Sequence, residues 1–184
     1  GQNCMVVDNN AFYIANNSNT IYIYNQSLTY QTEFVLPFAN IYFTVYMCTG
    51  TVSGQNYLFT ANTNNIAVYN VTNPGNPTQL SNGAFTQQGY NITQIGGMQF
   101  ISTANGNYLA LATDNGDAFA NVNLLWNVTV DLNFSIGSAF LIDSKHKYWT
   151  SGDNCLNINN NIVGIEISAF SGATGTSLNF GGDI

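Results

Sequence analysis

The residues of this 184-residue chain best equipped for chemistry sit in one short run, Asp143-Ser144-Lys145-His146-Lys147, which holds the only histidine and the only two basic side chains. Ser, His and Asp are the parts of a hydrolytic triad, in which the imidazole takes the hydroxyl proton and the carboxylate orients the ring. Triad members come from separated segments, however, and no G-x-S-x-G elbow presents a nucleophile. The run reads as a solvated hairpin turn. Asp114 and Asp117, in Asp114-Asn115-Gly116-Asp117, offer the oxygen ligands that calcium prefers, but no bidentate glutamate follows as in an EF-hand loop. That segment reads as an ordinary turn. A glycosidase needs two carboxylates flanking the scissile bond, and the only glutamates, Glu33 and Glu166, have no visible relation to one another. No catalytic, cofactor-binding or metal-binding residue is assigned, and the chain reads as a non-enzyme.

The elements that would position any such group are strands. Period-two patterns rich in β-branched and aromatic residues run through Phe34-Val35-Leu36-Pro37-Phe38, Tyr42-Phe43-Thr44-Val45-Tyr46 and Ile162-Val163-Gly164-Ile165-Glu166-Ile167, and almost nothing has helical spacing. Asn-Gly, Ser-Gly and Gly-Gly pairs punctuate the chain at Asn82, Asn105, Asn115, Ser171 and Gly181. These residues tolerate the positive φ of tight hairpin turns.

Four times, an aromatic-aliphatic strand ending in a small residue is followed by a turn and a second strand ending in a polar one. The first strands end at Ala15, Ala61, Ala112 and Ser151, in steps of 46, 51 and 39 residues. Their partners close at Asn25, Asn70, Asn127 and Glu166. A four-stranded propeller blade takes about 40–50 residues. The expected fold is therefore an all-β, single-domain β-propeller of four antiparallel four-stranded blades, approximately 3–38, 39–88, 89–136 and 137–184. Two alternatives stand beside it: a piece of a larger propeller, and a β-sandwich, which also has short strands at regular spacing.

Asn65-Ile66-Ala67-Val68-Tyr69-Asn70-Val71-Thr72-Asn73-Pro74-Gly75-Asn76-Pro77 resembles the repeat of LVIVD-type β-propellers, where a strand like I-x-V-Y-D-V-S precedes N-P-x-x-P. The match covers about 56–80. Asn70 stands in place of the usual Asp, and the other repeats lack the proline pair. The resemblance implies a secreted or surface-exposed binding or scaffolding module with no shared catalytic motif.

Charge narrows the partners. Only 6% of residues are charged, against 45% hydrophobic and 14% aromatic, and the net charge is −7. Nucleic acid and anionic membranes are drawn by Lys and Arg, so neither is an expected partner, and no apolar run has the roughly 18 residues of a membrane span. A surface so poor in charge needs another solubilising group. Six N-x-S/T sequons, at Asn16, Asn25, Asn70, Asn91, Asn127 and Asn133, make covalent N-glycans the expectation. Their number alone is not informative, since 30 Asn and 30 Ser plus Thr in 184 residues give about five by chance.

The cysteines Cys4, Cys48 and Cys155 lack metal-site spacing. Closing a ring would bring the first and last blades together, which makes Cys4–Cys155 the expected disulfide and leaves Cys48 over. The functional expectation is an extracellular structural or adhesive glycoprotein that self-associates, extending to a fibre of repeated subunits, with copies of itself or other extracellular proteins as partners. A glycan- or protein-binding module, with carbohydrate as ligand, is the alternative. A glycosidase-like enzyme ranks last.

Overall fold

The structure is a computed structural model, described here for residues 4–16, 19–38, 45–62, 65–84, 94–104, 106–114, 122–136, 140–143, 165–166 and 177–178. The described residues are all-β, with no helix. Three antiparallel sheets of four strands follow one another along the chain. The first is β1 (Cys4–Val7), β2 (Ala11–Ala15), β3 (Thr20–Asn25) and β4 (Tyr30–Val35). The second is β5 (Tyr46–Val52), β6 (Gln55–Asn62), β7 (Asn65–Asn70) and β8 (Thr78–Ala84). The third is β9 (Gln94–Thr103), β10 (Gly106–Asp114), β11 (Val122–Asn127) and β12 (Phe140–Asp143). Each is an up-and-down meander with its strands in sequence order. A short pair, β13 (Ile165–Glu166) and β14 (Ser177–Leu178), completes the described strands.

The repeat read from the sequence is real at the level of register. Ala15 pairs with Cys4 and Ile21, Ala61 with Tyr46 and Ile66, and Ala112 with Gly97 and Asn123. Asn25, Asn70 and Asn127 each end the third strand of their sheet, opposite Ala11, Tyr57 and Tyr108. The first two sheets even share an irregularity: the register shifts between Ile23 and Tyr24 in one and between Val68 and Tyr69 in the other. Gln31 and Leu80 are the extra residues bulged out on the facing strands. Ser151, the fourth small residue, lies outside the described residues. The third sheet takes its last strand from Phe140–Asp143, beyond the boundary at 136 expected for the third repeat.

Local chemistry sets the turns. Val52 and Gln55 close a two-residue hairpin in which Ser53 (φ 52°) and Gly54 (φ 79°) are both left-handed. This is the double positive φ that matches strand twist, and glycine supplies it without strain. Between β7 and β8, Asn73-Pro74-Gly75-Asn76 forms a turn closed by Asn76 N–H donating to the Asn73 carbonyl at 3.0 Å, with proline where its fixed φ is preset for the bend.

The sheets stack face on face, with the second in the middle. Cys4, Val6, Tyr13, Ile21 and Ile23 of the first sheet pack against Met47, Leu58 and Tyr69 of the second. The opposite face of the second sheet, with Cys48, Phe59 and Val68, packs against Met98, Leu109, Leu111 and Trp126 of the third. Burial of both faces explains why β6 is buried at nearly every position, whereas β2 alternates. β5 lies beside both β1 and β9, so the leading strands of the three sheets gather along one side. Tyr57, Leu58 and Tyr108 are buried as expected for the repeated aromatic strand; Trp149 lies outside the described residues.

The far face of the first sheet is built differently from the face packed against the second. Its register aligns Met5, Ile14, Tyr22 and Glu33 across the four strands in one row. A second row aligns Val7, Phe12, Tyr24 and Tyr30. These positions are half-buried or exposed, in contrast to the fully buried residues on the other side.

Candidate functional site

The polar residues that composition made conspicuous are largely spent on a recurring corner. In the second sheet Asn70 Oδ1 accepts from Thr72 N–H at 3.0 Å, Thr72 Oγ1 accepts from Asn56 N–H at 2.9 Å, and Val71 N–H donates to the Asn56 carbonyl at 2.9 Å. Thr51 Oγ1 donates to Asn56 Oδ1 at 2.8 Å. The third sheet repeats every bond. Asn127 Oδ1 accepts from Thr129 N–H at 3.1 Å and Thr129 Oγ1 from Asn107 N–H at 2.6 Å. Val128 N–H donates to the Asn107 carbonyl at 3.0 Å and Ser102 Oγ to Asn107 Oδ1 at 2.7 Å. These are Asx turns that tie the ends of the first three strands of a sheet into one clamp.

In the first sheet an acid takes over part of this work. Asn25 Oδ1 still accepts from Ser27 and Thr29 N–H, at 3.0 and 2.9 Å. Asp8, however, holds the strand start, accepting from Asn10 N–H (2.7 Å), Ala11 N–H (2.9 Å) and the Tyr13 hydroxyl (3.0 Å). Burial, with the Asp8 charge and hydrogen bond acting the same way, pushes the Tyr13 hydroxyl well above the usual tyrosine range. Asp131 is similarly committed, accepting from Trp126 Nε1 at 3.2 Å and Ser135 N–H at 2.9 Å.

The sequence read Asn25, Asn70 and Asn127 as glycan acceptors at strand ends, and the structure places all three there. What sequence reasoning missed is that the same Asn-x-Ser/Thr triplet is the corner clamp. The signal was available: three of the six sequons fall at one equivalent position of the repeat. Asn16 is half-buried, Asn133 is exposed in the turns after β11, and Asn91 lies outside the described residues.

Among the described residues the remaining candidates do not come together as a reaction centre. Glu33 is exposed, and the Tyr30 hydroxyl donates to it at 3.4 Å. Asp114, Asp143 and Glu166 are placed on β10, β12 and β13 by their backbones, while Asp117, Ser144, Lys145, His146 and Lys147 lie outside the described residues. Among the described residues no three His, Cys, Asp or Glu side chains converge as a metal site, and no helix is long and apolar enough to cross a membrane.

Where β1, β5 and β9 gather, a recess of about 330 Å³ opens, walled by Met5, Val6, Val7, Cys48, Thr49 and the Gln99–Phe100 pair. Its polar groups are few. Thr49 Oγ1 donates to the Val7 carbonyl at 3.1 Å, joining the first two sheets. Cys48 is a free thiol, and burial raises it far above the ordinary thiol range, a backbone hydrogen bond with Phe100 acting weakly the other way. Such a thiol is a poor nucleophile. Gly50 lets the Phe100 ring sit against the β5 backbone, since a Cβ there would run into the ring. Cys4 is buried and disulfide-bonded, and Cys155, its expected partner, lies outside the described residues. The site can therefore bind or pack; the described side chains give it nothing with which to transfer a proton or attack a bond. No protein-family model matches the chain, and no curated protein matches it at a significant level.

Proposed function

We propose that this chain is a non-enzymatic structural or adhesive protein of the extracellular space, whose function is to associate with copies of itself. The single observation that carries the reading is the pairing of spent polar groups with free apolar ones. Asp8 and Asp131 are bound into turns, yet Met5, Val7, Leu28, Tyr30, Val35, Leu80, Val130 and Leu132 are exposed. No Lys, Arg or His stands among the described residues, so little ion desolvation opposes close approach of two chains. Lysine, a common guard on sheet edges, is missing from β4 and β8.

The three meanders are proposed as consecutive propeller blades, in a four-bladed ring or part of a larger one. Supporting this, Ile101, Tyr108 and Ala110 are buried on the face of the third sheet turned from the second, and the LVIVD-like segment supplies β7 and its turn. A Cys4–Cys155 bridge and N-glycans on some of Asn16, Asn25, Asn70, Asn91, Asn127 and Asn133 belong to the same proposal, with Asn133 favoured by its exposure.

Light scattering coupled to size exclusion, with negative-stain microscopy of native material, tests the assembly reading. A strictly monomeric species at high concentration would end it. The second reading is a glycan- or protein-binding module. The open recess beside Phe100 and Gln99 favours it, and a glycan array without hits counts against its carbohydrate form.

A further inference from the structure

We infer that N-linked glycans gather at one end of the stacked sheets, on Asn25, Asn70, Asn127 and Asn133, and that the corner clamps stay closed beneath them. This rests on the proposal of N-glycans and adds where they sit. Asn25, Asn70 and Asn127 each end the third strand of a sheet. One position in from Asn25 lies the row Val7, Phe12 and Tyr24, and one position in from Asn70 the row Thr49, Leu58 and Tyr69. Thr49 Oγ1 donates to the Val7 carbonyl at 3.1 Å, so these two corners lie at the same end. Tyr57, the partner of Asn70, has its ring centred 4.8 Å from that of Phe134. Phe134 N–H donates to the Asp131 carbonyl and Asp131 N–H to the Asn127 carbonyl, at 3.0 and 3.3 Å, which brings Asn127 and Asn133 to that end too. Stacking covers the faces of the sheets and leaves strand ends at the margin. Asn16 follows β2 at the opposite end, and Asn62, its counterpart after Ala61, is 1% exposed.

The clamp uses only half of each amide. Oδ1 accepts from backbone N–H at all three corners, and the planar amide turns Nδ2, with its two hydrogens, the other way. Glycosylation joins Nδ2 to the anomeric carbon of a sugar carried on a polyprenyl phosphate or pyrophosphate. The bond from that carbon to the phosphate oxygen breaks, the oxygen keeps the electron pair, and one amide hydrogen leaves as a proton. Oδ1 and one N–H survive. The bond from Thr129 N–H to Asn127 therefore persists, and a hydrogen remains for Asn70 Nδ2 to donate to Gln55 Oε1 at 2.9 Å. The surroundings suit such sugars. Leu28 and Val130 stand three residues beyond Asn25 and Asn127, and Leu132 precedes Asn133. They are 69%, 80% and 52% exposed, apolar surface that bulky polar glycans rooted beside it would screen.

The test is glycopeptide mapping of native protein, with electron-transfer fragmentation to locate each sugar. The expected result is glycans on at least three of Asn25, Asn70, Asn127 and Asn133, and none on Asn16. In parallel, amide exchange of native protein is compared with that of the full chain made in a host that adds no glycans. Thr72 and Thr129 N–H should exchange at rates within about tenfold of each other in the two preparations, because their acceptors are unchanged. Sugar on Asn16, or on no more than two of the four end sites, overturns the placement and leaves the glycoprotein reading standing. A native chain bearing no N-glycan overturns both. Exchange at Thr72 or Thr129 more than about tenfold faster in the glycosylated protein shows that the sugar pulls its asparagine out of the clamp, and overturns the coexistence of the two.

Discussion

Removing the side-chain carbonyl of Asn127 should destabilise the protein, and Asn127→Asp should largely spare it. Asn127→Ala deletes the acceptor for Thr129 N–H at 3.1 Å and Val130 N–H at 3.3 Å. Both donors are near the surface, where water competes and each hydrogen bond is worth a net ~0.5–1.5 kcal/mol, so the expected loss is about 1–2 kcal/mol. For a chain of this size that lowers Tm by about 2–8 °C. Thr129→Val removes the acceptor 2.6 Å from Asn107 N–H and should cost about 1 kcal/mol, whereas Thr129→Ser keeps the oxygen and should cost only a few tenths. Urea unfolding of protein made in a host that adds no glycans, followed by the fluorescence of buried Trp126, reads the differences. Asparagine and aspartate variants separate the two meanings of the sequon, since Asp keeps the acceptor oxygen but cannot carry an N-glycan. If Asn127→Asp loses as much as Asn127→Ala, or if all four variants match the wild type, the clamp is not what holds this corner.

Peptide mapping of native protein should find Cys4 joined to Cys155 and Cys48 free. Reduction or Cys4→Ser should then lower thermal stability by several degrees, the chain-entropy model giving about 5 kcal/mol for so long a loop; a Cys4–Cys48 peptide would refute the pairing. Gly50→Ala forces the Phe100 ring out of its seat and should cost about 1–3 kcal/mol, visible as a lower urea midpoint. Stability should also decline in alkali. Tyr13, Tyr69 and Cys48 are raised in the folded state, chiefly by burial, so the unfolded chain releases their protons first. Their contribution is complete below the unfolded values of about 9 for the thiol and 10 for the phenols and falls as pH climbs beyond them. Thermal melts from pH 8 to 11 check this, and a Tm that stays level across that range would contradict it.

Strand identity was legible because patterns such as Ala11-Phe12-Tyr13-Ile14-Ala15 state a period of two without help from tertiary contacts, and the equivalence of Ala15, Ala61 and Ala112 followed from it. The corner clamp was not. Asn56 and Thr72 are 16 residues apart and meet only once β6 and β7 are paired in register, so the bond is a product of the fold rather than of local sequence. The end of the third sheet was misplaced for a related reason. Phe140-Leu141-Ile142-Asp143 fits a first strand as well as a last one, and only pairing with β11 decides between them. Nor could the sequence say which face of β1 packs against the second sheet. Met5 and Val6 are neighbours of similar hydrophobicity, and what distinguishes them is the sheet stacked on one side of β1. Asp114 and Asp143 end β10 and β12, whereas Asp117 and Ser144 to Lys147 lie outside the described residues.

The meander order of each sheet also fixes how the chain can fold. Every strand pairing within the three sheets joins sequence neighbours, so most closures are short and entropically mild for a β protein. Each sheet can begin as hairpins independently of the others, and only face-to-face docking couples them, a nearest-neighbour scheme in the manner of repeat proteins. Among the described residues the middle sheet is covered on both sides, whereas the first sheet docks on one. Amide exchange should therefore be slowest in β6 and β7 and fastest in β4, with the first sheet able to undock as a unit while the other two hold.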